Sequence, residues 1–183
     1  HIKLIGEDTR NSMNYFSLFE IPESLKVDEA AVMKAYYRLS RRYHPDANVS
    51  ADEAGQAEAE TMSAVINKAR QVLGRVDLRL EYLLEMHGVI ATDEKYNLPA
   101  EFLGKMMEVN EKLMELEFDQ DAVALQAVQE ELSHLEAEIA EPVQSYFSQD
   151  ILQFSDAAAE SLKEYYYKKK YLQRIRERLS RLL

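Results

Sequence analysis

The chain has 183 residues, of which 46% are hydrophobic and 30% charged, with a net charge of −11 and no cysteine. The absence of cysteine excludes disulfides and thiolate nucleophiles. It also excludes iron–sulfur clusters and zinc ions held by thiolates of this chain. No apolar run approaches the roughly 20 residues of a membrane-spanning helix, and the net acidity disfavours nucleic acid as a partner unless basic residues gather on one face.

The chain as a whole is poor in glycine, proline and β-branched runs, which is typical of an all-α protein. Four helices are predicted in its first half. They cover residues 14–20, 28–43, 56–73 and 77–87. Asp28 is suited to cap the second helix, and Pro45 ends it because proline disfavours helix in the residue before it. Gly88 is a typical helix terminator.

The segment in front of Met13 has an apolar run too short for a signal peptide. Met13 is a candidate natural start, with an expression remnant in front of it.

Three longer amphipathic helices are predicted after a polar linker around residues 91–97. They cover residues 99–118, 121–148 and 155–183, and Pro142 should kink the middle one. Between Glu101 and Glu141 the chain has twelve acidic residues and two basic ones, whereas the last helix is strongly basic. Amphipathic helices joined by short turns, with complementary charge, predict an antiparallel three-helix bundle.

The helix over residues 28–43 carries a basic stripe opposite its apolar face. Its basic residues recur at i, i+4, i+7 and i+8. They are Lys34, Arg38, Arg41 and Arg42. One interpretation is a solvated helix face. The other is a cationic ridge that steers an acidic partner surface onto the protein.

The triad His44-Pro45-Asp46 directly follows this ridge and has three interpretations from its residues. It is a helix stop with a turn-forming Asp, a general base oriented by an acid, or part of a metal site. The catalytic interpretation lacks a Cys or Gly-framed Ser nucleophile, and the four histidines share no ligand spacing. We therefore expect no catalytic residue, no metal and no cofactor.

The first bundle helix has more apolar surface than one core face requires. Beside its core stripe lies a second stripe of Leu103, Met107 and Met114, with Asn110 in the gap. A wide core face would bury this second stripe. Alternatively, adaptable Met side chains on surplus apolar surface form a site for a partner.

A basic amphipathic helix, His-Pro-Asp in a loop and a long antiparallel helix with Ile66-Asn67-Lys68-Ala69 together resemble a J domain. General DnaJ-type chaperones continue with a Gly/Phe-rich segment and a Cys-based zinc domain, which five glycines and no cysteine cannot supply. The chain instead resembles the HscB family of J proteins, which is dedicated to iron–sulfur cluster assembly. The similarity runs from Asn14 onward through residues 15–19, 43–46, 81–88 and 102–103.

The resemblance implies a J domain at residues 13–88, built on an antiparallel helical hairpin, a linker at 89–97 and a C-terminal three-helix bundle at 98–183. The two domains would form an L-shaped arrangement. The implied role is that of a non-enzymatic co-chaperone, in the cytoplasm or, in a eukaryote, in the mitochondrial matrix. It would stimulate ATP hydrolysis by an HscA/DnaK-type chaperone and deliver the iron–sulfur scaffold IscU to it, with no nucleic acid or membrane as partner. A J protein for a different client is the alternative.

The resemblance also implies two sets of contact residues. The chaperone would contact Lys34, Arg38, Arg41, Arg42, His44, Pro45 and Asp46. The scaffold would contact Leu103, Met107, Glu108, Glu111, Glu115 and Tyr171. The chain departs from the family pattern at Gly104, where Met is usual, at Asn110, where Arg is usual, at Tyr171, where Phe is usual, and at residues 75–77, which replace an Asp-Pro turn.

Overall fold

The computed structural model describes residues 13–183, so the segment in front of Met13 lies outside the described residues. Within residues 13–183 all regular secondary structure is helical, which confirms the all-α prediction. The α-helices are α1 (Tyr15–Phe19), α2 (Glu29–Tyr43), α3 (Glu53–Leu73), α4 (Val76–Met86), α5 (Ala100–Phe118), α6 (Ala122–Ala140), α7 (Gln144–Phe147) and α8 (Asp156–Ser180). Two 3₁₀ turns lie at Pro45–Asn48 and Glu141–Val143.

The chain divides into two compact units. The first contains the described residues up to Gly88 together with Tyr146–Gln153, and the second contains Val89–Ser145 and Phe154–Leu183. Two hydrogen bonds tie the inserted segment to the loop before α2: Ser24 Oγ donates to the Gln149 carbonyl (2.7 Å), and Leu152 N donates to the Glu23 carbonyl (2.8 Å).

The first unit is organised around the hairpin of α2 and α3. Asp28 caps α2 as predicted, because its carboxylate accepts the Ala31 N–H at 3.1 Å. α3 begins three residues earlier than predicted. The reason is the Asp52 carboxylate, which accepts the Gly55 N–H at 2.8 Å and so caps a helix whose first turn contains a glycine.

A buried arginine holds the loop that leads into α2. Arg79 is 2% exposed, and its guanidinium donates to the carbonyls of Leu73 (2.9 Å), Ser24 (3.1 Å) and Lys26 (2.8 Å). It also lies 5.5 Å from the centre of the Phe16 ring. Burial lowers the pKa of Arg79 to about 10, with the Asp28 carboxylate opposing that shift, so the group stays protonated at neutral pH.

The second unit is a three-helix bundle with an apolar core. α5 contributes Phe102, Met106, Val109, Leu113 and Leu116, and α6 and α8 contribute Val128, Leu132, Leu135, Ile139, Leu172, Ile175 and Leu179. Interhelical ion pairs ring this core: Lys105–Glu138 (2.8 Å), Lys112–Glu131 (2.7 Å), Arg176–Glu136 (2.7 Å) and Arg178–Glu117 (2.8 Å). The charge complementarity expected from the sequence is therefore realised, although such exposed pairs each contribute at most about 1 kcal/mol.

Pro142 interrupts the middle helix of the bundle. α6 ends at Ala140, and the chain passes through the 3₁₀ turn Glu141–Val143 before one further turn of helix. This break follows from proline, which lacks an N–H and clashes with the preceding turn of an α-helix.

The polar segment in front of α5 is packed against α8. The Glu94 carboxylate accepts hydrogen bonds from Lys163 Nζ (2.6 Å) and Tyr167 Oη (2.8 Å), and these bonds lower the pKa of Glu94. The Tyr96 ring stacks on Tyr167 with 4.5 Å between the ring centres. Burial and the Glu94 carboxylate raise the pKa of Tyr167 to about 12.

We expect Arg79→Met to lower the free energy of unfolding by about 3 kcal/mol or more, because it removes the donor shared by three carbonyls in a buried site. Urea unfolding followed by circular dichroism measures this loss. Arg75→Met is the matched control: Arg75 is an exposed arginine whose pair with Asp77 (3.0 Å) should be worth no more than about 1 kcal/mol. Equal unfolding midpoints for the two variants would contradict the role assigned to Arg79.

Candidate functional site

The His-Pro-Asp loop begins where α2 can no longer continue. His44 has an extended backbone (φ −62°, ψ 137°), which proline favours in the residue before it, and Pro45–Asn48 forms a 3₁₀ turn. The Ala47 N–H closes this turn by donating to the His44 carbonyl at 3.0 Å. The loop therefore leaves the helix at a fixed point and presents its side chains outward.

The two ionisable residues of the triad face each other across the loop. His44 Nδ1 accepts the Asp46 backbone N–H at 3.1 Å and lies 3.6 Å from the Asp46 carboxylate Oδ2. Because Nδ1 is an acceptor here, the proton of the neutral ring belongs on Nε2. Both side chains are exposed, so Nε2–H and the carboxylate are open to a partner surface.

Neighbouring polar side chains hold the loop in this form. Asn48 Nδ2 donates to the carbonyls of Arg42 (3.2 Å) and His44 (2.9 Å), which satisfies carbonyls that the end of α2 leaves unpaired. Ser63 Oγ on α3 donates to the Tyr43 carbonyl at 3.0 Å. The sequence alone does not single out Asn48. The one feature that could have indicated its role is an amide side chain in the turn that follows the end of a helix.

The basic stripe of α2 lies on the surface, with Lys34, Arg38, Arg41 and Arg42 all exposed. Arg38 pairs loosely with Glu20 at 3.5 Å, and Arg41 Nε donates to the carbonyl of Tyr37 at 3.4 Å. The Arg42 guanidinium lies 5.3 Å from the centre of the Tyr43 ring. These contacts leave a continuous cationic ridge, which leads along α2 to the His-Pro-Asp loop.

α3 packs against α2 and holds the helix that carries the ridge. Ile66 and Ala69 are buried, whereas Asn67 accepts a hydrogen bond from Tyr36 Oη at 3.1 Å. The Arg70 guanidinium stacks 4.5 Å from the centre of the same Tyr36 ring. The motif over residues 66–69 thus fixes the position of α2 through both packing and a polar contact.

A groove of about 840 Å³ lies between α1, α2 and α3. Its two aliphatic hydroxyl groups are engaged in backbone hydrogen bonds: Ser17 Oγ donates to the Asn14 carbonyl, and Thr61 Oγ1 donates to the Ala57 carbonyl. His44 is not among the lining residues. This groove therefore does not place His44 beside a hydroxyl group that could act as its nucleophile.

The second apolar stripe of α5 is exposed. Leu103 is 39% exposed, Met107 65% and Met114 53%, so the structure favours a surface stripe over a wide core face. Glu108, Glu111 and Glu115 are also exposed. At 100° per residue these carboxylates lie along the side of the stripe that faces away from α8.

Tyr171 of α8 lies at the opposite border of the stripe. It is half-buried, its hydroxyl accepts a hydrogen bond from Asn110 Nδ2 at 3.4 Å, and its ring meets Phe102 edge-on at 6.1 Å. The structure thus brings all six predicted scaffold residues to one side of the bundle. At Gly104 an added Cβ would meet no atom within 4 Å, so packing does not require glycine there.

Two absences hold for residues 13–183. No helix in that range is long and apolar enough to cross a membrane. No group of three or more His, Asp or Glu side chains in that part of the chain is arranged to hold a metal ion.

Comparison with known families covers both units. Residues 14–82 match the model of the DnaJ domain, and residues 98–180 match the model of the HSCB C-terminal oligomerisation domain. Together the two matches cover most of the chain.

Two solved structures resemble the whole chain. The crystal structure of human co-chaperone protein HscB shares 29% sequence identity, with a TM-score of 0.71 over 98% of this chain and 85% of that one. The chaperone HscB from Vibrio cholerae shares 27% identity, with a TM-score of 0.65 over 93% of this chain and 100% of that one. With a J domain, an HscB-type C-terminal domain and these likenesses in sequence and structure, the chain belongs to the HscB family of J-domain co-chaperones.

Proposed function

We propose that this protein stimulates ATP hydrolysis by an HscA/DnaK-type chaperone and delivers an IscU-type iron–sulfur scaffold to it. The observation that carries the proposal is the exposed His44-Pro45-Asp46 loop at the end of a cationic ridge. Membership of the HscB family supports the connection to iron–sulfur cluster assembly. We further propose residues 13–88 as the J domain, 89–97 as the linker and 98–183 as the scaffold-binding domain, working in the cytoplasm or the mitochondrial matrix.

The chaperone would dock on the ridge and the loop together. Lys34, Arg38, Arg41 and Arg42 supply a compact positive surface on a chain of net charge −11, so an acidic partner surface is attracted to this face. At the end of the ridge the loop offers three different groups: the Nε2–H of His44, the rigid ring of Pro45 and the carboxylate of Asp46. The chaperone catalyses the hydrolysis, and the loop would act by contact.

The scaffold would dock on the exposed side of α5. Leu103 and Met107 supply apolar contact area, and Glu108, Glu111 and Glu115 line the outer border. Tyr171 adds an aromatic side chain from α8 at the inner border. An apolar centre with a charged rim is the usual composition of a specific protein interface.

We expect His44→Gln to abolish the stimulation of steady-state ATP hydrolysis by a DnaK- or HscA-type chaperone. Gln retains a polar side chain but lacks the imidazole ring of His44, the residue between α2 and Pro45. Because His44 is exposed, stability should change by less than about 0.5 kcal/mol. His134→Gln, an exposed histidine of the bundle, is the matched control and should stimulate like the unchanged protein. Full stimulation by the His44 variant would refute the J-domain mechanism for this chain.

We expect Asn48→Asp to weaken stimulation without abolishing it. The substitution replaces the amide that donates to the Arg42 and His44 carbonyls with a carboxylate that can only accept, so the loop loses its closing bonds. A loss of about 1 kcal/mol in binding free energy corresponds to a roughly fivefold rise in the concentration of this protein that gives half-maximal stimulation of the chaperone. Titration of the ATPase with each variant measures it. An unchanged titration curve would show that Asn48 has no part in presenting the loop.

We expect Leu103→Ala combined with Met107→Ala to weaken binding of an IscU-type scaffold while leaving stimulation of the chaperone alone unchanged. Each truncation at an interface centre costs about 1 kcal/mol or more, so Kd should rise roughly 30-fold. Calorimetric titration measures the affinity. Absence of binding by the unchanged protein would remove the scaffold assignment and leave a J protein for another client.

A further inference from the structure

The apolar stripe of α5 continues beyond the residues that the family resemblance implies. Met114 is 53% exposed, and Phe118, the last residue of the helix, is 92% exposed. Leu103, Met107, Met114 and Phe118 are spaced at i, i+4, i+11 and i+15, which places them along one helix face. At 1.5 Å per residue the stripe is about 22 Å long.

The fold does not account for this second half of the stripe. The core residues of α5 point about 130° away from it, at 100° per residue, and they already fill the bundle from Phe102 to Leu116. An almost fully exposed Phe contributes nothing to that core. Contiguous exposed Met and Phe are typical of a surface that a partner covers.

Charge restricts what can cover the stripe. Glu108, Glu111 and Glu115 follow its outer border, and the exposed Asp119 and Asp121 lie in the turn from Phe118 to α6. None of these five carboxylates enters a salt bridge within the described residues. Glu117, by contrast, lies on the α8 side, where Arg178 Nη2 donates to it at 2.8 Å. Glu108 and Glu115 lie near Lys112, whose pKa they help to raise, and Asp121 accepts the Val123 N–H, but no salt bridge within the described residues neutralises the border, so its negative charge can attract cations on the partner.

We propose that Met114 and Phe118 form the second half of the scaffold-binding surface, so that the scaffold protein contacts α5 over its whole length. The matching surface on the scaffold would be an apolar ridge of similar length with Lys or Arg along one edge. This inference rests on the proposed function, because it assumes the scaffold that docks at Leu103 and Met107. Phe118 would be the anchor of the new half, since aromatic side chains dominate interface energetics.

A second copy of this chain fits the stripe less well. Each copy has a net charge of −11, and antiparallel pairing of two α5 helices across a twofold axis would set acidic border against acidic border. A partner with a basic edge avoids this repulsion. The oligomeric state is nevertheless measured in the test, since the matched family model is described as an oligomerisation domain.

The test compares four full-length proteins by calorimetric titration with an IscU-type scaffold: the unchanged chain, Met114→Ala with Phe118→Ala, Leu103→Ala with Met107→Ala, and Ile151→Ala. Ile151 is an exposed apolar residue of the other unit and serves as the control. We expect the Met114/Phe118 variant to raise Kd about 10- to 30-fold. Its thermal midpoint should stay within about 2 °C of that of the unchanged chain, because both side chains are exposed.

The outcomes separate this inference from the function on which it rests. If the Leu103/Met107 variant loses affinity and the Met114/Phe118 variant binds like Ile151→Ala, the second half of the surface is refuted and the proposed function stands. If the unchanged chain does not bind the scaffold, both are refuted. If sedimentation shows a dimer that the Met114/Phe118 substitutions dissociate, a second copy covers the stripe and the inference is wrong.

Discussion

Pro45 sets the geometry of the exposed loop at the end of α2, on which the proposed contact with the chaperone depends. Proline disfavours a helical conformation in the residue before it, and here α2 ends at Tyr43 and His44 adopts an extended backbone. The carbonyls left over at this end would be costly if unpaired. Asn48 and Ser63 satisfy them, and the bond from Ser63 ties the end of α2 to α3. One residue that breaks a helix thus creates an exposed corner whose backbone carbonyls are hydrogen-bonded.

α5 is a helix with two apolar faces, and only one of them has a structural role. The face with Met106, Val109 and Leu113 is completely buried between α6 and α8. Lys105 and Lys112 then reach to α6, and Asn110 and Glu117 reach to α8, so polar contacts border the core on both sides. The apolar residues outside those borders have no further helix to pack against, and their exposure follows from a bundle of three rather than four helices.

The parts of the fold that the sequence predicts correctly are those governed by local chemistry. Asp28 as a cap and the break at Pro45 follow from side chains that act on their own backbone. Pro142 has a larger effect than the predicted kink, because α6 ends at Ala140 and a 3₁₀ turn follows. The start of α3 was misplaced because Gly55 suggested a loop, whereas the Asp52 cap outweighs the poor helix propensity of one glycine. The burial of Arg79 cannot be predicted from the sequence, because only the tertiary structure brings its three carbonyl partners together. The same limit applied to α5: periodicity shows that a face is apolar, but only the neighbouring helices decide whether it is covered.

The two exposed faces differ in a way that suits two kinds of contact. The ridge of α2 is built of cations, with Tyr37 as the one large apolar side chain exposed on that helix. Such a surface raises the rate of encounter more than the affinity, and salt weakens it. α5 combines apolar length with an acidic border, and buried apolar contact mainly slows dissociation. Under the proposed function, this division suits a co-chaperone whose contact with its chaperone is brief and whose contact with its client at the bundle lasts longer.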